Sequence, residues 1–135
     1  MATTDIIKKI KLRRIKNEDY HQIISIQREC FPGMKTWSEA QFKSLLENFP
    51  EGQTCIQYGK KIIASSCSLI INFDDYSEDS PWNELTDSGN INNHNLYGDT
   101  LYGMEMMVHP GYQGMKLSRR LYDGRKELAR KYNLK

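Results

Sequence analysis

The residues with chemistry within reach lie in the last third of the chain, from Leu101 to Lys135. Glu105 is the one acid in the apolar run Leu101-Tyr102-Gly103-Met104-Glu105-Met106-Met107-Val108. A lone carboxylate in an apolar run is a candidate general base. A paired or solvated strand carboxylate is its plainer role. After the run, His109-Pro110-Gly111-Tyr112-Gln113-Gly114-Met115-Lys116-Leu117-Ser118 makes a turn into a basic helical stretch. Free N–H groups at a helix start attract phosphate or carboxylate. Gly111 and Gly114 permit close backbone approach, and Gln113 and Lys116 add side-chain donors.

Strand, turn and helix must position these groups. Pro110 ends the strand, because it cannot donate to a sheet ladder. Leu117, Leu121, Leu128 and Tyr132 then form one helical stripe. Upstream, Ile10 to Ile15 alternates apolar and basic residues, which predicts a strand with one buried face. Asn17 is placed to cap a helix whose stripe is Tyr20, Ile23, Ile24, Gln27, Cys30 and Phe31, stopped by Pro32-Gly33. Ser38 and Gln41 make a capping box ahead of Phe42, Leu45, Leu46 and Phe49. Thr54 to Tyr58 and Lys61 to Ile71 read as a hairpin turning at Gly59-Lys60. Asp74 to Thr100 is a long irregular stretch, with Trp82, Leu85 and Ile91 as anchors for a helical turn.

The segment Val108-His109-Pro110, followed by Tyr112-Gln113-Gly114 and a long helix, resembles the acyl-CoA-binding motif of the GNAT superfamily of N-acyltransferases. Gln113 holds the first motif position and Ser118 the last, while Lys116 stands where the family usually has glycine. The resemblance implies an α/β fold with a mixed, mostly antiparallel sheet flanked by helices, in the order β-α-α-β-β-β-α. It implies that Gln113, Gly114, Met115, Lys116, Leu117 and Ser118 cradle the pyrophosphate of acetyl-CoA. The backbone of Met106, Met107 and Val108 would pair with the pantetheine amides, Glu105 would serve as base, and a small-molecule or peptide amine would accept the acyl group. The family's general acid, a late tyrosine, would fall beyond Lys135.

On this reading residues 1–135 form one partial GNAT-like domain with 74–100 as a long acidic loop, ending where a fifth strand is expected. Similar heads occur fused to a carbon–nitrogen hydrolase domain. The strand edge at 101–108 would then be open to self-association. A non-catalytic CoA-binding or docking module is the rival reading, and a nucleic-acid binder using the basic helix is a further one. Against the latter, Asp123 and Glu127 interrupt the basic face and no aromatic platform for bases is evident.

Composition narrows the classes further. The chain has 135 residues, 39% hydrophobic and 27% charged, with net charge +2, ordinary values for one globular domain. Cys30, Cys55 and Cys67 lack CxxC spacing, which suggests reduced thiols and a cytoplasmic setting. His21, His94 and His109 have no companions at ligand spacing, so no metal is expected. No apolar run approaches membrane-spanning length. Seven acids and no lysine or arginine lie between residues 74 and 100, a stretch suited to a cationic acceptor.

Overall fold

The computed structural model describes residues 9–134. Four strands, β1 (Ile10–Arg14), β2 (Thr54–Tyr58), β3 (Lys61–Ile71) and β4 (Thr100–Val108), form one sheet in chain order. Each neighbouring pair is antiparallel. Helices α1 (Tyr20–Cys30) and α2 (Glu39–Asn48) follow β1, the single turn α3 (Trp82–Leu85) lies in the long connection, and α4 (Leu117–Lys131) follows β4.

β3 is the spine. Every residue from Ile62 to Ile71 is buried, because helices cover both of its faces. That two-sided burial explains its near-continuous apolar sequence. One cluster joins Ile23, Ile24, Phe42 and Leu45 of α1 and α2 to Ile62, Leu69 and Met107 of the sheet. A smaller cluster joins Leu117 and Leu121 of α4 to Ile56, Ile63 and Ala64. β2 is shorter than β3, so side chains and the long loop complete the ladder beyond Ser66. Gln53, fully buried, donates to the Ser68 carbonyl at 2.8 Å and accepts from its N–H at 3.3 Å. Further along, His94 Nδ1 accepts from Ile70 N–H at 2.9 Å, and Asn95 N–H donates to the Ile70 carbonyl at 2.8 Å.

Two local expectations are corrected. β1 does not bury one face, since Leu12 is 40% exposed beside Gly124 of α4, while Arg13 on the opposite side pairs with Asp19 at 2.8 Å. Asn17 is not the cap either. Residues Asn17–Asp19 form a 3₁₀ turn, and the Asp19 carboxylate accepts from Lys16 N–H at 2.7 Å. Burial opposes the charged form of Asp19, but Arg13 and that N–H outweigh it and hold the carboxyl below its ordinary value. By contrast, the Ser38–Gln41 capping box and the hairpin at Gly59-Lys60 form where the sequence places them.

β4 carries a bulge. Cys67 opposes Glu105 and Ser68 opposes Gly103, which leaves Met104 as the extra residue. Side chains take over the backbone there. Trp82 Nε1 donates to the Met104 carbonyl at 3.0 Å. Arg125, reaching in from α4, donates to the carbonyls of Glu105 at 2.8 Å and Cys67 at 3.1 Å. Its guanidinium crosses Gly103 so closely that a Cβ there would lie 2.2 Å from Nη1. Arg125→Met keeps the stem and deletes both bonds. Leaving two carbonyls without partners is expected to cost about 2–4 kcal/mol of stability, read as a lower urea midpoint at unchanged slope.

Candidate functional site

Glu105 sits at the floor of a cavity of about 830 Å³ between β4, α3 and the α1–α2 connection. Its Oε2 accepts from Trp37 Nε1 and from Gln27 Nε2, both at 3.2 Å. Gln27 is itself fixed, because its Oε1 accepts from Trp37 N–H at 2.9 Å. Burial pushes the Glu105 carboxyl up to about 6, although the bonds from Trp37 and Gln27 pull the other way. A group titrating there is ionised at neutral pH yet basic enough to take a proton. None of the acids between residues 74 and 100 lines this cavity. Sequence reasoning gives Gln27 and Trp82 packing roles only, in the α1 stripe and as a loop anchor, and does not name Trp37. The one signal was Gln27, a polar residue within the apolar stripe of α1.

A second cavity of about 450 Å³ lies on the other side of Met106. Met106 and Val108 of β4, Gln113 and Gly114 of the turn, and Leu117 and Ser118 of α4 all line it. Six of the nine residues expected to hold acyl-CoA therefore converge. The other three contribute differently. Met107 turns its side chain into the core at 2% exposure, Met115 packs against the α4 cluster, and Lys116 is exposed at the helix start. Gly114 has φ +86°, and no atom lies within 4 Å of where a Cβ would stand, so the turn is open on that side. Lys116 has φ +60°, a left-handed conformation that favours glycine. His109 braces the turn from behind, with Nε2 2.9 Å from Glu29 and Nδ1 accepting from Gly111 N–H at 3.0 Å.

No family model matches the chain. Among solved structures, the loading GNATL domain of CurA from Lyngbya majuscula aligns with TM-score 0.71 at 18% identity, over 84% of this chain and 55% of that one. The GNAT-like decarboxylase GphF, solved with isobutyryl-CoA, aligns equally well at 16% identity, over the same shares of the two chains. The chain has the GNAT fold. Two curated proteins of Bacillus subtilis (strain 168) are similar in sequence. Probable hydrolase YhcX is 49% identical over 128 residues, which is 95% of this chain and 25% of YhcX. Uncharacterized N-acetyltransferase YkwB is 36% identical over 124 residues, which is 89% of this chain and 55% of YkwB. The GNAT-like domain thus spans a quarter and about half the length of these two relatives. Among the described residues no helix is long and apolar enough to cross a membrane, and no cluster of three metal-ligating side chains occurs.

Lys116 holds its left-handed backbone despite carrying a Cβ. Glycine adopts that conformation without Cβ strain, so Lys116→Gly is expected to raise stability by about 1 kcal/mol, measured by thermal or urea unfolding. If the ammonium also holds an anion, the same variant weakens CoA binding in calorimetry. Tighter CoA binding in Lys116→Gly would show instead that the side chain only crowds the turn.

Proposed function

We propose that this chain is a partial GNAT-like domain, with 74–100 as its acidic loop, from a cytoplasmic CoA-dependent acyltransferase. The reaction is transfer of an acyl group, acetyl in the simplest case, from CoA to an amine. The observation that carries the reading is the meeting of two cavities at Met106 on the outer edge of β4. One holds a carboxylate of raised basicity, and the other ends on a glycine turn and a helix N-terminus. The N-acetyltransferase name of YkwB and the isobutyryl-CoA bound to GphF are consistent with it.

The turn fits acyl-CoA, because Gly114 leaves open space and the first N–H groups of α4 are free of helical partners by geometry. Gln113, Gly114, Met115, Lys116, Leu117 and Ser118 would hold the pyrophosphate. The backbone of Met106, Met107 and Val108 would pair with the pantetheine amides, as an added strand does. Bound acyl-CoA supplies an activated carbonyl. Glu105 takes the proton from the acceptor ammonium, so the neutral amine can attack that carbonyl. The C–N bond forms, the thioester C–S bond breaks, and CoA leaves as a thiolate that takes up a proton as the amide nitrogen loses one. Trp37 and Gln27 fix the carboxylate at Oε2 and turn it toward the cavity. Placing both reactants on one strand edge provides proximity, and backbone donors of β4 stabilise the developing oxyanion. Among the described residues β4 pairs only with β3, so self-association through 101–108 belongs to the same proposal. A second reading, a non-catalytic CoA-binding or docking module, draws on the hydrolase name of YhcX, of which the matched stretch is a quarter.

Glu105→Gln separates the readings. The folded carboxyl titrates at about 6, above its ordinary 4.5, so the native state holds this proton more tightly than the unfolded chain. That contribution to stability is full below about 4.5 and is lost as pH rises through about 6. Glu105→Gln is therefore expected to be at least as stable as the parent at pH 7–8. Turnover should fall by about 10²-fold or more at neutral pH, with little change in CoA affinity. The parent's kcat/KM should rise through about pH 6. The variant's deficit should shrink at alkaline pH, where the amine is already neutral. Parallel loss of stability and rate at every pH would leave Glu105 a packing residue.

A further inference from the structure

The cavity beside Glu105 has an unusual charge pattern for an amine site. Among its lining residues Glu105 is the one acid and Lys35 the one base. Glu105 is largely buried at the floor, whereas Lys35 is exposed and makes no ion pair among the described residues. Between them the walls are mostly apolar, and Phe31, Met34, Trp37 and Trp82 supply much of that surface. Both hydrogen bonds to Glu105 go to Oε2, which leaves Oε1 without a protein partner among the described residues.

A ligand's first ammonium can pair with that oxygen, and its body can lie along the indole and thioether surface. A second ammonium finds no carboxylate. It must be buried against apolar walls at high desolvation cost or emerge beside the like charge of Lys35. The acids of the 74–100 stretch offer no relief, since none of them lines the cavity.

We infer that the cavity takes a primary monoamine with an apolar aliphatic or aromatic body, and that Lys35 at its mouth turns away diamines and polyamines. The inference rests on the acyl-transfer reading for what happens to the amine. The ligand class itself follows from the walls.

The chain has two tryptophans, and both line this cavity, so intrinsic fluorescence reports on it directly. Hexylamine and its dicationic counterpart hexamethylenediamine differ by one terminal ammonium. Hexylamine is expected to change the tryptophan emission saturably, and hexamethylenediamine to bind about tenfold more weakly or worse. Lys35→Glu, an exposed charge reversal, should narrow that gap by about three- to tenfold. Equal affinity for the two amines, no saturable change with hexylamine, or an unchanged gap in Lys35→Glu would each overturn the inference. An acylation assay with the same pair separates it from the proposed reaction. Hexylamine binding without acylation sinks the reaction and leaves the ligand class standing. Acylation that prefers hexamethylenediamine does the reverse.

Discussion

The extra residue in β4 breaks the ladder to β3, and the carbonyls released there must find donors elsewhere. Arg125 supplies two and Trp82 one. A buried carbonyl without a partner costs about 1–3 kcal/mol, so these side chains are needed for the strand to hold its shape. Arg125 does this at some expense. Its Nε is buried without a partner, and burial lowers its pKa. The guanidinium stays charged all the same, and the Tyr122 ring lies 5.7 Å from it. Gly103 follows from the same contact, because any Cβ would occupy the guanidinium's path.

The bulge also decides which way side chains point. In an unbroken strand Tyr102 and Met104 would face one side and Glu105 and Met107 the other. Here Tyr102, Met104 and Met107 all join the core under α1 and α2, and Glu105 reaches Trp37 and Gln27 on that side. Met106 and Val108 turn toward the α4 cluster. One inserted residue thus lets β4 send side chains from both its halves into the core and still present a carboxylate to one cavity and a methionine to both. The long loop is tied to this arrangement through Trp82, which braces the Met104 carbonyl and forms cavity wall at once.

What was legible in the sequence was local. The Ser38–Gln41 box, the Gly59-Lys60 hairpin and the α4 stripe each depend on residues a few positions apart, and each formed as read. The converging turn was legible too, because strand, glycine and helix follow one another directly. The misses were long-range. Leu12 is exposed because β1 is an edge strand, where α4 offers only Gly124 beside it. Gln27, Trp37, Trp82 and Arg125 meet β4 from 20 to 78 positions away, and no spacing rule links them. The acidic loop meets the same limit, since none of its acids lines the cavity beside Glu105. Net charge of a segment says nothing about which of its residues face a cavity.

Lys116 and Glu105 stand in contrast as residues that cost the fold something. Lys116 takes a left-handed conformation at the head of α4, and the turn it completes is what aims the helix at the β4 edge. There the backbone shape matters, and the side chain is incidental to it. At Glu105 the charge itself is the expense, since burial opposes ionisation and no cation pairs with the carboxylate among the described residues. Trp37 and Gln27 donate only to Oε2, so a glutamine could accept the same two bonds without that charge. Packing and hydrogen bonding therefore ask only for an acceptor at position 105. The ionised form is surplus to the fold, and it faces a cavity in which an ammonium would be its natural counterpart.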